Sequence, residues 1–226
     1  VLDSRLINNR ASSYGGATNG NVTAKNCTFE NNSGYYGGAM YNGVAIDNKF
    51  INNTADYGGA IYYGSATNCN FENNSGSRGG AMYGGYASGS NFTHNNATYD
   101  GGAIYNVMVT KCLFENNSAQ DGGAMTRGKA INCTFNNNNA SNLGGAVYKA
   151  NVSTNSNFNN NIATNGNGTD EVTWFDRGNA GTFTELANLI NMNNAADIYL
   201  SCDYVYDNYF DAKLKNGTVI SRNVTI

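Results

Sequence analysis

The sequence lacks proline, and it contains a single histidine, a single tryptophan and few charges. Charged residues make up 13% of the chain and the formal net charge is −3, so no basic surface is available for the phosphates of nucleic acid or of an anionic membrane. No run of 18 apolar residues occurs, and a helix that crosses a bilayer needs about that length. These shortages exclude nucleic-acid binding, and membrane insertion within this chain, from the predicted functions.

Asparagine and glycine are abundant instead, with 43 and 28 copies, and tyrosine follows with 16. This bias could indicate low-complexity disorder, but disorder predicts no fixed period. The tripeptide Gly-Gly-Ala recurs at intervals of 21 or 22 residues, starting at Gly15, Gly37, Gly58, Gly79, Gly101, Gly122 and Gly144. A large apolar residue keeps nearly the same interval at Leu6, Phe29, Phe50, Phe71, Phe92, Phe114, Phe135 and Phe158. Residues 1 to about 165 are therefore eight copies of one repeat, which is typical of a solenoid.

The residue types within each copy select the kind of solenoid. Helical repeats are excluded because glycine, asparagine and threonine dominate, and leucine-rich repeats need several leucines in each copy. The calcium-binding nonapeptide repeat requires aspartate after paired glycines, where this chain has alanine. We therefore predict an all-β fold, a right-handed parallel β-helix of about eight coils over residues 1–168. Coils stacked at roughly 4.8 Å would give a rod on the order of 40 Å long.

Equivalent positions of successive coils form columns, and one column is asparagine in all eight copies. It lies three residues after the repeated apolar residue, at Asn9, Asn32, Asn53, Asn74, Asn95, Asn117, Asn138 and Asn161. Asparagine tolerates the left-handed conformation at a bend, and its amide can bond the amides of the coils above and below. We predict an internal asparagine ladder with a structural role. His94 precedes one of these positions, where the other coils have asparagine, so it is predicted to be structural too.

Alternation along each strand predicts which columns face the core. The column two residues before the phenylalanine contains Cys27, Cys69, Cys112 and Cys133, which are expected to be small buried core residues rather than disulfide or zinc partners. The column directly after Gly-Gly-Ala is apolar in six of seven copies and is also placed inside; it comprises Thr18, Met40, Ile61, Met82, Ile104, Met125 and Val147.

The next column along the strand is rich in tyrosine and is predicted to point outward. Its members are Tyr41, Tyr62, Tyr83, Tyr105 and Tyr148, and a second aromatic set, Tyr14, Tyr36 and Tyr57, precedes the glycine pair. Stacked tyrosines on a weakly charged surface are suited to adhesion to sugars or to proteins. They could equally do no more than stabilise neighbouring strands by ring stacking, and the sequence leaves both interpretations open.

The repeat resembles two families of surface proteins. Phe71-Glu72-Asn73-Asn74 followed by Gly79-Gly80-Ala81-Met82 is similar to the repeat of chlamydial polymorphic outer-membrane proteins. The fuller pattern, Asn-Cys-Thr-Phe-x-Asn-Asn and then Gly-Gly-Ala-x-Tyr, resembles the adhesin-like surface proteins of methanogenic archaea. The resemblance implies an extracellular β-helical stalk or adhesin at the cell surface, without catalytic or cofactor-binding residues.

Beyond the repeat, residues 169–226 are predicted to form a small helix-and-strand cap, or the start of a following β-helix. Thr182-Phe183-Thr184-Glu185 has the spacing of a capping box. Four apolar residues then share one face of a short helix, and they are Phe183, Leu186, Leu189 and Ile190. Because Val1 enters directly in the register of a strand, we hypothesise that this cap covers the first coil of a second copy, giving a head-to-tail filament. That the chain is a fragment of a longer protein is the alternative.

Parallel β-helices also carry polysaccharide-degrading enzymes, so a carbohydrate-binding or carbohydrate-cleaving function is the second hypothesis. Glycoside hydrolysis needs two carboxyl groups about 5 to 9.5 Å apart. Asp100 and Asp121 on adjacent coils are the best pair, but with Arg78 they are predicted to form a surface salt bridge. We expect no catalytic, metal or cofactor site. Fourteen Asn-x-Ser/Thr sequons are possible glycan acceptors wherever their side chains face outward.

Overall fold

A computed structural model describes residues 1–175, 181–182 and 204–205, and side chains as far as Val172. Within these residues every strand pair is parallel and no helix is present. The fold is an all-β parallel solenoid of about eight turns, as the repeat predicted. The chain divides into two compact units, Val1–Asp176 and Arg177–Ile226, and the second unit contributes the paired strands Gly181–Thr182 and Tyr204–Val205.

The strands of the coils form three sheets. The first, the phenylalanine sheet, has the repeated apolar residue at the centre of every strand. Its eight three-residue strands are Arg5–Ile7, Thr28–Glu30, Lys49–Ile51, Asn70–Glu72, Asn91–Thr93, Leu113–Glu115, Thr134–Asn136 and Asn157–Asn159. Phenylalanine is in register with phenylalanine on neighbouring strands, from Phe29 to Phe158. Neighbouring rings stack with centroids 4.6 to 4.9 Å apart and planes within 8° of parallel.

A six-stranded sheet, here the short sheet, follows the phenylalanine sheet in the third to eighth coils, and isolated bridges take its place in the first two. Its strands are Thr54–Tyr57, Ser75–Arg78, Asn96–Asp100, Ser118–Ala119, Asn139–Ala140 and Ile162–Ala163. The inward position of these strands is alanine or glycine, and Ala55, Ala97 and Ala140 are buried. Small side chains there leave the interior to the phenylalanine column.

The third sheet, the long sheet, has twelve strands. They are Thr18–Asn19, Thr23–Lys25, Met40–Tyr41, Val44–Ile46, Ile61–Thr67, Met82–Ser88, Ile104–Thr110, Met125–Ile131, Val147–Tyr148, Asn151–Ser153, Thr169–Asp170 and Thr173–Phe175. The column after Gly-Gly-Ala faces the core, as predicted, and Met40 through Val147 are fully buried, whereas Thr18 is half-buried.

The paired glycines allow the coils to approach closely between the short and the long sheet. Gly58 has a φ of 65°, in the left-handed region that glycine favours. A Cβ on Gly59 would lie 2.0 Å from the backbone oxygen of Gly80 on the next coil and 2.4 Å from that of Ser75. The second glycine is therefore required by contact between backbones.

The predicted asparagine ladder is present at the bend between the phenylalanine sheet and the short sheet. In each step the Oδ1 of one asparagine accepts two bonds from the asparagine of the preceding coil, as when Asn95 accepts from the backbone N–H and the Nδ2 of Asn74, both at 3.0 Å. From Asn32 onward, each Nδ2 also donates to a backbone oxygen of the preceding coil, as from Asn95 to Phe71 at 3.0 Å. Both amide protons and both acceptor sites of the buried side chain are thus used.

The sequence led us to expect the left-handed conformation at the ladder asparagines, and this prediction is wrong by one residue. The ladder asparagines from Asn32 to Asn138 are buried, and the residue before each ladder asparagine has the positive φ, between 53° and 59°, from Asn8 to Asn160. The reason is geometric, because a left-handed residue turns the chain so that the following side chain points inward. His94, with a φ of 56°, occupies this exposed bend position in the place of asparagine.

The cysteine column forms part of the buried core, as predicted. Cys27, Cys69, Cys112 and Cys133 are buried free thiols. Each bonds a backbone oxygen two residues earlier, as from the Sγ of Cys69 to the oxygen of Thr67 at 3.3 Å. Burial raises the pKa of the Cys69 thiol to about 12, so this sulfur is protonated and unreactive at neutral pH. Cys202 lies outside the described residues.

Candidate functional site

Two columns of stacked tyrosines lie side by side on the solenoid. The first contains Tyr14, Tyr36 and Tyr57, with successive ring centroids 5.4 Å apart. The second runs from Tyr41 through Tyr62 and Tyr83 to Tyr105, with centroids 4.9 to 5.5 Å apart and planes within 17° of parallel. The spacing follows from the parallel register of the strands, which places tyrosine next to tyrosine on consecutive coils.

The two columns also contact each other across the turn that contains the paired glycines. Tyr14 meets Tyr41 edge-on at 4.7 Å, Tyr36 lies 4.9 Å from Tyr62, and Tyr57 meets Tyr83 at 5.4 Å. Two further rings pack edge-on against the columns, Tyr35 on Tyr36 at 4.7 Å and Tyr63 on Tyr62 at 4.8 Å. We call this continuous cluster the tyrosine face; its members are Tyr14, Tyr35, Tyr36, Tyr41, Tyr57, Tyr62, Tyr63, Tyr83 and Tyr105.

Ring orientation determines what the tyrosine face offers to a partner. Tyr36, Tyr62 and Tyr83 each have a stacked ring on both sides, so their flat faces are covered. Their outer edges and hydroxyls remain for contact. Tyr14, Tyr35 and Tyr63 are 45%, 42% and 49% exposed and are the most accessible rings of the cluster.

Two arginines lie at one end of the tyrosine face. The guanidinium carbons of Arg78 and Arg127 lie 5.8 and 5.9 Å from the ring centre of Tyr105, within the range of a cation–π contact. The Nε of Arg78 also forms a salt bridge with the Oδ2 of Asp100 at 2.9 Å, as predicted for this pair. Burial, together with neighbouring tyrosines, raises the pKa of Tyr62 to about 12, so this phenol is neutral at physiological pH.

Tyr148, which the sequence placed in the same outward column, does not join the tyrosine face. Thr126 occupies the intervening coil, and its hydroxyl donates to the backbone oxygen of Asp121 at 2.8 Å. The ammonium of Lys149 lies 4.7 Å from the ring centre of Tyr148, whose hydroxyl donates to Glu171 at 3.1 Å. The outward column is therefore interrupted after Tyr105.

Several acidic side chains, among them the candidate Asp121, are engaged in local structure. The Oδ1 of Asp121 accepts from the side chain of Asn142 at 2.7 Å and from the backbone N–H of Leu143 at 3.0 Å. Glu30 bonds Arg5 at 3.0 Å. A shallow groove on the outer side of the phenylalanine sheet contains one carboxylate, Glu72, beside Lys49. Glycoside hydrolysis requires two carboxyl groups, and this groove supplies one.

The residues that the structure describes contain neither a metal cluster nor a membrane-spanning helix. No group of three or more histidine, cysteine, aspartate or glutamate side chains is arranged to hold a metal ion there. Nor does that part of the chain contain a helix with the length and apolar composition to span a bilayer. The predicted cap residues, Phe183, Leu186, Leu189 and Ile190, lie outside the described residues.

Sequence reasoning missed Tyr35 and Tyr63 as members of the cluster, and it did not foresee that the two columns touch. The signal was present in the doublets Tyr35-Tyr36 and Tyr62-Tyr63. Alternation tells which side of a strand a residue faces, but it gives no information about neighbours across a turn. The structure supplies that lateral contact.

Comparison with known families agrees with the geometry of the coils. Residues 49–64, 89–107 and 132–149 match the Chlamydia polymorphic membrane protein (Chlamydia_PMP) repeat. The first of these segments contains Phe50, the ladder residue Asn53, the paired glycines and Tyr62, so the matched pattern is the one that builds a coil. No curated protein and no solved structure matches the chain. The chain thus carries repeats of this kind in a parallel β-solenoid.

Proposed function

We propose that the protein is a non-catalytic, extracellular structural and adhesive rod at the cell surface, and that the tyrosine face is its contact surface. The observation that carries the proposal is the continuous cluster of nine tyrosines on five coils of a weakly charged solenoid. Aromatic residues are enriched where proteins bind partners, because their rings bury a large area and lose little conformational freedom. The match to repeats of a polymorphic membrane protein supports a surface location.

The partner in this proposal is a protein or glycan of another cell surface. Stacking covers the flat ring faces of Tyr36, Tyr62 and Tyr83. A partner would therefore contact their edges and hydroxyls, which suits a protein surface. A glycan would stack on the more exposed rings of Tyr14, Tyr35 and Tyr63. A role like that of the adhesin-like surface proteins of methanogenic archaea, which the repeat resembles, belongs to the same proposal.

Adhesion of beads coated with the chain, measured on whole cells, on glycan arrays and on immobilised surface proteins, tests this function. The double variant Tyr35→Ser and Tyr63→Asn uses residues that the solenoid already has in these columns, serine at Ser13 and Ser77 and asparagine at Asn42. Removing two accessible aromatic contacts should weaken binding by at least about tenfold. The arrays separate a sugar partner from a protein partner.

Tyr99→Ser is the matched control for that experiment. Tyr99 is 54% exposed and lies in the same column as Tyr35, three coils further on and outside the tyrosine face. Its replacement should leave adhesion unchanged. Equal loss in the control, or no loss in the double variant, would contradict the assignment of the contact surface.

Head-to-tail assembly of copies is a separate proposal about partners. It rests on the expectation that an uncovered coil presents open strand edges to a second chain. Light scattering over a concentration series, with electron microscopy of the same samples, tests it. Rods that lengthen with concentration would support assembly, and particles of one chain at every concentration would refute it.

A further inference from the structure

The exposed bend between the phenylalanine sheet and the short sheet carries a second column of asparagines that the proposed function does not use. We call these residues the corner asparagines: Asn8, Asn31, Asn52, Asn73, Asn116, Asn137 and Asn160. All have a positive φ, and all are exposed. Each immediately precedes a ladder asparagine, and the ladder residues from Asn32 to Asn138 are buried, so along these coils the two columns alternate between solvent and core.

Four corner asparagines begin an Asn-x-Ser/Thr sequon, and they are Asn31, Asn52, Asn73 and Asn116. The serine or threonine of each sequon lies where the short sheet begins in its coil. It either starts a strand, as Thr54 and Ser75 do, or forms an isolated β-bridge to the next coil. Every middle residue is a ladder asparagine. The motif therefore recurs at one structural position rather than at scattered loops.

The amides of these four residues are not engaged with other described residues, in contrast to other exposed asparagines. Asn91 donates to Asn70 at 3.1 Å, and Asn159 donates to Asn136 at 2.9 Å, forming short external ladders on the phenylalanine sheet. A sequon can accept a glycan only where its asparagine faces outward, and Asn52 and Asn73 do face outward. Their Nδ2 atoms can carry a substituent without breaking a hydrogen bond of the coil.

We propose that Asn31, Asn52, Asn73 and Asn116 are N-glycosylation sites, which place a row of glycans along this bend. In the reaction, the Nδ2 forms a bond to the anomeric carbon of a saccharide carried on a polyprenyl phosphate or pyrophosphate. The bond from that carbon to the phosphate oxygen breaks, the lipid phosphate leaves with the electron pair, and the amide loses one proton. The inference is independent of the function proposed for the tyrosine face.

Burial of the ladder residue determines when this transfer takes place. In the folded coil the middle residue of the sequon, such as Asn53, is fully buried and bonded on both sides, so a transferase cannot draw the segment into an extended conformation. The transfer must precede folding of that coil. The folded solenoid then accepts the glycan because only the exposed corner residue carries it.

The position of the row also leaves the tyrosine face uncovered. Asn52 lies just before the strand Thr54–Tyr57, and Tyr57 of the tyrosine face ends that strand. A full strand of the short sheet therefore separates the glycan from the aromatic rings on the same coil. The row would hydrate one edge of the solenoid and leave the aromatic surface accessible.

The test is to secrete the chain from cultured animal cells behind a signal peptide, and to identify glycosylated asparagines by peptide mass spectrometry. Peptide N-glycosidase converts each acceptor asparagine to aspartate, which marks the site. We expect modification of at least two of the four corner sites. Modification of fewer than two would overturn the proposal, whether or not other sequons are occupied. If the chain is retained inside the cell, the same peptides are read from the retained protein, because transfer precedes folding.

Two matched variants test the dependence on the corner position. Thr54→Ala removes the sequon of Asn52 and keeps both Asn52 and the ladder residue Asn53, so only this glycan should disappear. Ile162→Thr creates a sequon at Asn160, a corner asparagine that lacks one, and should add a glycan there. Ile162 is 64% exposed, so its replacement removes no core contact. A glycan that persists at Asn52 in the first variant, or none gained at Asn160 in the second, would count against the assignment.

Discussion

At the residue scale, the ladder asparagines show how buried polar atoms are tolerated in a solenoid. The amide of Asn95 forms four hydrogen bonds, two as donor and two as acceptor, and asparagine is the smallest side chain that offers both pairs. An unsatisfied buried polar atom costs about 1 to 3 kcal/mol, so complete pairing is what makes asparagine stable in this place.

Asn95→Ala should therefore destabilise the solenoid strongly. The change leaves the Nδ2 proton and the backbone N–H of Asn74, and the oxygen of Phe71, without their partner in the core. We expect a loss of about 3 kcal/mol or more in the free energy of unfolding. Thermal and denaturant melts measure it. Glu115→Ala, an outward position of the phenylalanine sheet, is the control and should change stability by less than about 0.5 kcal/mol. Equal melts for the two variants would refute the energetic role of the ladder.

At the scale of the element, the repeat period predicts which columns of side chains are buried, but not every detail of the bends and turns. The period places Phe71, Met82 and Cys69 in the core, and all three are fully buried. The same reasoning misplaced the left-handed residue by one position, because both residues of the pair Asn73-Asn74 are asparagine and composition does not distinguish them. It also missed the contact of Tyr36 with Tyr62, since lateral neighbours depend on the path of the turn.

Stacking in the second tyrosine column should make stability depend on alkaline pH. The pKa of Tyr62 is about 12 in the folded state, chiefly because of burial, against an ordinary value of 10. The folded state binds this proton more tightly than the unfolded state, so the contribution is constant below pH 10 and is lost between pH 10 and 12. Absorbance of the phenolate and melts taken at short exposure measure this window.

Tyr62→Phe is the control for the alkaline titration, because the ring stack remains while the ionisable hydroxyl is removed. This variant should lose less stability than the wild-type chain between pH 10 and 12. A wild-type chain whose melting temperature falls no more steeply than that of the variant would show that Tyr62 is not protected by the fold.

At the scale of the whole molecule, the solenoid is a set of nearly equivalent coils, each in contact with its two neighbours. Its stability should be close to the sum of coil terms and interface terms. Phe114 and Phe135 are register partners, so removing residues 115–135 deletes one coil and joins Asn136 to Phe114 where Glu115 stood.

We expect the chain without residues 115–135 to fold as a shorter solenoid with reduced stability, as circular dichroism and melting would show. Deleting only 115–125 removes half a coil, shifts every later column and should prevent cooperative folding of the following coils. The tyrosine face, which ends at Tyr105, is retained in both variants. Unfolding of the one-coil deletion, or unchanged melting of the half-coil deletion, would contradict the modular description.

The direction of the hydrogen bonds between coils has a mechanical consequence. Bonds such as that from the backbone N–H of Asn53 to Asn74 run from coil to coil, so a pulling force along the stack loads successive coils in series. Tension would then detach coils one at a time from a loaded end, and each coil of about 21 residues would release up to roughly 70 Å of extended chain. A surface rod built in this way would lengthen stepwise under strain and absorb work before its attachment fails.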